Sequence, residues 1–234
     1  MLVAIHQLHY LPWLRYVHKI ASGDVFVALD NIQFNKNGWQ NRNKIKGPQG
    51  AVILTVPILH KFAQNLSEVC IDNKQAWQRK HWGTISSCYG KAPFFRDHEA
   101  FLKKVYSTFW EKLNDLNHEM LEYFIRALGL QTKIIRGTDL NIQGEATERL
   151  VRICKELGAK AYLTGDYALE TYLDRSLFER EGIELVIQDF QCPEYPQQFP
   201  EEGFVPELSI LDLLLNAGPQ SLDILLHRSC PSRS

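Results

Sequence analysis

Two apolar runs, residues 2–5 and 25–29, stand at either end of one helix-length stretch, and that spacing restricts the fold more than any other feature. Each run is too short for a helix and reads as a buried strand. Between them Pro12 suits a first helical turn, where a missing N–H costs nothing. Leu14, Val17 and Ala21 then fall on one helical face, with Trp13 and Ile20 beside it, and Gly23 supplies the stop. Strand–helix–strand of this length implies a parallel pair with a right-handed crossover. In open parallel sheets ligands bind beyond the carboxyl ends of the strands. Gln7, His9, Asp30 and Gln33 lie just past such ends.

The remainder extends this α/β reading. Residues 43–45 and 51–58 flank Gly47-Pro48-Gln49-Gly50, which predicts a hairpin. Residues 66–71 add a short strand. From about 73 to 128 the apolar spacing is helical, as an insertion covering one side. Strands at 133–135, 161–163 and 183–187 then alternate with helices at 145–157 and 168–178. Ser209 caps a terminal helix. The expected architecture is a single α/β domain over 1–230, with a parallel doubly wound sheet, a hairpin and the helical insertion. Residues 231–234 are expected to be a disordered tail.

Charge and cysteine content remove several function classes. A net charge of −1 over 234 residues makes no electrostatic case for nucleic acid. No apolar run approaches the roughly 20 residues that span a bilayer, and residues 2–5 are too short for a signal core. The five cysteines contain no CxxC pair, so neither a zinc site nor a disulfide framework is indicated. The expectation is a cytoplasmic protein with reduced thiols and no resident metal. GxGxxG, the Walker loop, HExxH and GxSxG are all absent.

What chemistry remains is carried by scattered polar residues. His6 and His9 flank the first strand end, where an imidazole can exchange a proton or stabilise phosphate charge, although each alone more often makes one structural hydrogen bond. Asp30 can hold a cation, an amine or a sugar hydroxyl, or simply cap the loop that follows its strand. Arg42 can fork onto a carboxylate or phosphate, or form a surface pair. Gln40-Asn41-Arg42-Asn43-Lys44 presents mostly donors, which suits an anion. Asp174 can cap a turn as readily as it can bind substrate. His81 reads as a helix-face residue.

The assembled pieces resemble the WbqC-like protein family. The resemblance runs from about residue 3 to 224. It rests on Gln7 with Tyr10-Leu11-Pro12-Trp13, on Leu29-Asp30-Asn31-Ile32-Gln33-Phe34, and on Trp39-Gln40-Asn41-Arg42-Asn43-Lys44-Ile45. His81-Trp82, Tyr89-Gly90-Lys91-Ala92-Pro93-Phe94, Glu148-Arg149-Leu150 with Cys154, and Tyr172-Leu173-Asp174 follow in order. Gln188-Asp189-Phe190, Tyr195-Pro196-Gln197 and Leu208-Ser209-Ile210-Leu211-Asp212 through Asn216 complete the set. Leu8 stands where the family usually has Pro, and Thr164 where it usually has Ser. A weaker, fold-level similarity is to pantothenate synthetases and related nucleotidylyltransferases of the HUP type. There His9 would match the first histidine of HxGH, with Leu11-Pro12 in place of Gly-His.

Family members accompany genes for O-antigen, other polysaccharides and natural products. The resemblance therefore implies a cytoplasmic transferase or ligase that joins an amine to an activated acyl group on a small metabolite. An amino acid, an amino sugar or a nucleotide sugar would serve as substrate. The cofactor stays open, ATP with Mg²⁺ being the candidate for which Arg42, Lys44 and Asp30 offer groups, and other biosynthetic enzymes are candidate partners. The candidate catalytic residues are His9, Asp30 and Arg42. Gln7, Tyr10, Gln33, Asn41, Lys44, Tyr172, Asp174 and Gln188 are the candidate substrate contacts. The rival readings are an acyl or aminoacyl transferase using a preactivated donor without ATP, and a non-catalytic scaffold.

Overall fold

The structure is a computed structural model and describes residues 1–59, 61–144 and 146–227. The tail 231–234, Cys230 and the helix start expected at Glu145 lie outside the described residues. In chain order the strands are β1 (Leu2–Gln7), β2 (Val25–Leu29), β3 (Arg42–Gly47), β4 (Gly50–Thr55), β5 (Ile58–Leu59), β6 (Cys70–Ile71), β7 (Lys133–Arg136), β8 (Ala161–Thr164) and β9 (Glu184–Ile187). The first helices are α1 (Leu14–Ala21), α2 (Trp77–Tyr89), α3 (Phe95–Ser107), α4 (Leu113–Ala127) and α5 (Gly137–Leu140). After them come α6 (Ala146–Glu156), α7 (Asp166–Thr171), α8 (Arg175–Arg180), α9 (Ile210–Ala217) and α10 (Ser221–Leu225).

The chain divides into two compact units, one formed by residues 1–8, 18–32 and 131–191, the other by 9–17, 33–130 and the segment from 192 onward. The boundary falls inside α1.

The first unit is a five-stranded sheet in the order β7-β2-β1-β8-β9. Every neighbouring pair is parallel, and β1 pairs with β2 from Val3↔Val25 to Gln7↔Leu29. This is the doubly wound α/β arrangement that the first two apolar runs imply. All five residues of β2 are buried, as expected for a parallel sheet covered on both faces. Alternate residues Val3, Ile5, Val25, Val27 and Leu29 join one core cluster with Leu150, Val151, Ile153 and Cys154 of α6 and Phe178 of α8. Phe178 stacks on Tyr162 of β8 with ring centroids 5.1 Å apart. Gly137 must be glycine, because a Cβ there would lie 2.8 Å from the Asn31 amide oxygen and 3.2 Å from the Leu29 Cα.

One expected helix, 168–178, is two helices. The Asp174 carboxylate accepts from the backbone N–H and hydroxyl of Ser176, at 3.0 and 2.7 Å. A side chain that caps the next helix competes with continuation of the previous one.

The second unit holds the hairpin, α2–α4 and the C-terminal helices. Strands β3 and β4 pair antiparallel from Arg42↔Thr55 to Gly47↔Gly50, so Pro48 and Gln49 form the turn. The strand expected over 66–71 is a 3-10 turn, Leu66–Glu68, leading into β6, which pairs with β5. Every residue of α9 is buried, and Ser209 caps it by accepting from the Leu211 N–H at 3.2 Å. Gly218 closes that helix with φ +51°, and a Cβ there would strike the Phe94 ring.

Candidate functional site

The site residues expected from sequence fall into two groups. Gln7, Asp30, Tyr172, Asp174 and Gln188 belong to the first unit, and His9, Tyr10, Gln33, Asn41, Arg42 and Lys44 to the second.

In the second unit, Arg42 and Lys44 are two apart on β3 and share one strand face, while Asn43 and Ile45 are buried on the other. Both cations lie over the Trp39 ring, the Arg42 guanidinium carbon 5.6 Å and the Lys44 Nζ 5.9 Å from its centroid. Neither meets a carboxylate among the described residues. Arg42 donates from Nη2 to the Asn37 carbonyl at 2.6 Å, and its buried Nε–H has no acceptor among them. Trp39 meets Trp13 edge-on at 5.3 Å, Trp13 meets His9 at the same distance, and His9 stacks on Tyr16 at 5.1 Å. His9, Trp13, Trp39 and the two cations thus form one row, with its charge concentrated at the Arg42 end. Gln33 is exposed and bridges to Asn65.

The segment around these cations is fixed by buried side chains. The Asn41 amide donates to the Val56 carbonyl at 2.9 Å, and the Asn43 amide to the Tyr10 carbonyl at 3.3 Å. The Asn117 amide donates to the Gln40 carbonyl at 2.8 Å. Sequence alone suggests that the asparagines present donors to a ligand. In the structure their N–H groups complete backbone pairing instead. What Asn41 retains is a buried Oδ1 acceptor with no partner among the described residues.

Tyr10 is fully buried, and its hydroxyl touches His81 Nδ1 at 2.8 Å and the Tyr106 hydroxyl at 2.7 Å. His81 Nε2 donates to the Thr55 carbonyl at 3.2 Å, so Nδ1 is the acceptor for the Tyr10 hydroxyl. Burial pushes the His81 pKa down to about 4 and Tyr10 well above its ordinary value. Thr55 is the register partner of Arg42, so His81, read from sequence as a helix-face residue, steadies the strand opposite it. Leu11, beside Tyr10, sits at φ +43°, a conformation that costs a residue with a β-carbon about 1–3 kcal/mol.

A second buried network carries no signal in a motif search. Asp212, within the apolar α9, accepts from the Tyr89 and Tyr195 hydroxyls at 2.7 and 2.8 Å and from the Gln197 amide at 3.0 Å. Burial raises its pKa against those three bonds and the nearby Lys46 charge. Lys46 is itself fully buried, donating from Nζ to the Gly203 carbonyl and from its backbone N–H to the Tyr89 hydroxyl. The available clue was a carboxylate in the middle of Ile210-Leu211-Asp212-Leu213-Leu214-Leu215.

In the first unit Asp30 is 3% exposed, and its oxygens accept from the Thr138 N–H and hydroxyl at 2.8 and 3.0 Å. Asn31 beside it donates to the Gly137 carbonyl at 2.9 Å and accepts from Arg149 Nη2. Asp30 thus holds the first turn of α5, the helix after β7, rather than the loop that follows its own strand. Tyr172 and Asp174 are brought together by Thr147, whose hydroxyl donates to the Tyr172 carbonyl at 3.3 Å and accepts from the Asp174 N–H at 3.0 Å. Thr147 and Asp174 line an open cavity of about 450 Å³ with Gly144, Glu148 and Leu177. Gln188 is buried, its N–H on the Thr164 carbonyl at 2.7 Å and its amide 3.1 Å from His18 Nδ1. Gln7 ends β1 opposite Leu29.

No group of three or more His, Cys, Asp or Glu among the described residues could hold a metal ion. Phosphate would find its complement at Arg42 and Lys44. No helix among the described residues is long and apolar enough to cross a membrane.

A family model described as the WbqC-like protein family matches residues 7–224. An uncharacterized protein of Mycobacterium tuberculosis (strain ATCC 25618 / H37Rv), Rv1507c, is 34% identical over 227 residues, covering 95% of this chain and 96% of that one. No solved structure matches.

Proposed function

The chain belongs to the WbqC-like protein family, and on that footing we propose that it is a cytoplasmic biosynthetic enzyme, a transferase or ligase joining an amine to an activated acyl group on a small anionic metabolite. The observation that carries this reading is the pair of cations, Arg42 and Lys44, on one face of β3 against Trp39, with no carboxylate beside them among the described residues. Charge held near an aromatic face and left without a counter-ion suits a carboxylate or phosphate. Arg42 supplies a planar fork and Lys44 a point charge. His9, in the same aromatic row, is the candidate proton carrier, and the Asn41 Oδ1 is a candidate acceptor for a substrate N–H. Amino acids, amino sugars and nucleotide sugars carry such an anion together with an amine or hydroxyl to be acylated. Gln7, Asp30, Tyr172, Asp174 and Gln188 remain candidates in the first unit.

The test is a thermal-shift panel of nucleotides, nucleotide sugars, amino acids and acyl thioesters, followed by titration of each hit against Arg42→Lys. A ligand at 100 times its Kd stabilises by about 2.7 kcal/mol, well within reach of such a screen. Loss of the fork should weaken binding by one charge-assisted hydrogen bond, about 1.5–3 kcal/mol or roughly 10- to 150-fold. Undiminished binding of every hit to a folded Arg42→Lys would remove the anion site from this face. Stabilisation by ATP separates the ligase from the transferase that takes a preactivated donor. A panel without hits would favour the scaffold reading.

A further inference from the structure

The sheet of the first unit opens where its strand order reverses. Reading β7-β2-β1-β8-β9, sequence order runs backward to β1 and then jumps forward to β8. Such a switch point leaves a crevice at the carboxyl ends of the two strands. Here the ladders of β1 end at different heights on its two sides. The β1–β2 ladder continues to Gln7↔Leu29, but the β1–β8 ladder stops at Ala4↔Leu163, and β8 goes on to pair Thr164 with Ile187 of β9. Past Ala4 the pairing of β1 with β8 ends.

Lys19 stands at that point. Its Nζ donates to the carbonyl of Ile5, the first β1 residue beyond the last β1–β8 pair, at 3.1 Å, and lies 5.7 Å from the centroid of the Tyr162 ring on β8. The residue is 6% exposed, and no carboxylate pairs with it among the described residues. One carbonyl and one ring are poor compensation for an ammonium taken out of water. The other groups placed there by the strand ends are polar and uncharged. Thr164 is fully buried, Gln188 is joined to Thr164 and His18, and a Cβ on Gly165 would meet nothing within 4 Å. His6 is kept neutral by burial and by the Lys19 charge, its pKa lowered to about 3. Sequence gave no warning of Lys19, because it lies on the α1 face opposite Leu14 and Val17, where a solvated lysine is the ordinary reading.

We propose that the crevice between β1 and β8 is an oxyanion-binding site, with Lys19 as its cationic anchor and the carboxylate or phosphate of a small polar metabolite as its ligand. The anion would supply the missing counter-charge. Trp39, Arg42 and Lys44 belong to the other unit.

The experiment follows the lysine Cε signals of full-length protein labelled with [13Cε]lysine, Lys19 being assigned with Lys19→Arg. The titration is run in a neutral buffer, then with inorganic phosphate and, separately, with malonate. A bound anion favours the ammonium, so the Lys19 midpoint should rise by at least about one unit with the anion that fits. Phosphate and malonate separate the two ligand chemistries. The same anion should raise the melting temperature of the wild type and of Arg42→Gln, but not of Lys19→Met. A Lys19 midpoint unmoved by both anions overturns the proposal even if Lys19→Met fails to fold. An anion-induced rise that persists in Lys19→Met also overturns it. If that rise is lost in Arg42→Gln and kept in Lys19→Met, the anion belongs to the Trp39 face.

Discussion

The two units bury polar groups for different reasons. In the first, a parallel ladder satisfies most strand backbone, and the interior is a cluster of Val, Ile, Leu and Phe from strands and helices. Apart from Lys19, whose ammonium meets the Ile5 carbonyl, its buried polar residues Asp30, Thr147, Thr164 and Gln188 sit at strand ends or helix caps. In the second unit the sheets have only two strands each. Carbonyls of the loop residues between its strands and helices are met by side chains. Asn41 reaches Val56, Asn43 reaches Tyr10, Asn117 reaches Gln40, Asn73 reaches Trp110 and Lys46 reaches Gly203. Buried backbone groups must be paired somewhere. Where the backbone runs outside helix and strand, amide and ammonium groups do that work, and the core becomes specific in chemistry as well as in shape.

The sharpest way to break this comparison is to remove the acceptor at its centre. Asp212→Ala leaves the Tyr89 and Tyr195 hydroxyls and the Gln197 amide without their acceptor, and Lys46 without its nearby negative charge. Breaking such a buried cluster from one side costs about 3–5 kcal/mol. Asp30→Ala, which removes the acceptor of the Thr138 N–H and hydroxyl and a negative charge that acts on Arg149, should cost about 1–2 kcal/mol. Urea unfolding of both variants checks the order. Equal losses would mean that the two units do not differ in this way.

Acid tests the comparison from both units at once. His6 and His81 have folded pKa values lowered to about 3 and about 4, against 6.5 when unfolded. Below pH 6.5 the unfolded chain takes up protons that the folded one refuses, so stability falls as pH drops from 6.5 toward 3 for His6 and toward 4 for His81. Each shift amounts to several kcal/mol on the scale of about 1.4 kcal/mol per unit. Lys19 acts at the other end. Its folded pKa is lowered to about 8 from 10.5, so stability rises as pH climbs from 8 to 10.5. His81→Gln should flatten the acid limb in part and leave the alkaline one unchanged. Denaturation midpoints from pH 4 to 10 measure both limbs, and a flat acid limb in the wild type would show that neither imidazole is held neutral.

The same contrast explains what was legible in the sequence. Alternation and apolar runs report burial of carbon, so β1, β2, β8, the hairpin turn at Pro48-Gln49 and the fold class could all be read. They report nothing about a buried amide that finishes a neighbour's hydrogen bond. Gln40-Asn41-Arg42-Asn43-Lys44 looked like a row of donors facing outward, yet Asn43 is fully buried and only Arg42 and Lys44 share the Trp39 face. The buried network of Asp212 and Lys46, the latter a member of the basic cluster that Arg42 and Lys44 form in the sequence, could not be read because Tyr89, Tyr195 and Gly203 are distant in sequence. Asp30, Asp174 and Arg42 could be singled out as residue types, but the choice between cap and ligand needed the position of Thr138, Ser176 and Trp39. The break between α7 and α8 went unread for a related reason, since Asp174 fits a helix interior until its carboxylate is seen on Ser176.

The smallest effect belongs to Asp174, which separates a cap from a ligand within the first unit. Its carboxylate is exposed, and the Ser176 hydroxyl and N–H, helped by Arg180, hold its pKa below the ordinary value. Stability from this group is therefore present at neutral pH and fades as pH falls through that lowered pKa. Water and salt screen a charge so exposed, and global unfolding should hardly register Asp174→Asn. Local observables should register it. The Ser176 N–H loses a charged acceptor, so its amide exchange should quicken while amides of β1 and β2 keep theirs. Thr147 still receives the backbone N–H of residue 174, which keeps the cavity wall in place. If Asp174 only caps α8, Asp174→Asn retains full turnover once an assay exists, and its exchange rates alone change. A large loss of turnover with an unaltered Ser176 amide would make this carboxylate a substrate contact in the Thr147–Asp174 cavity, and the first unit would then hold chemistry as well as a sheet.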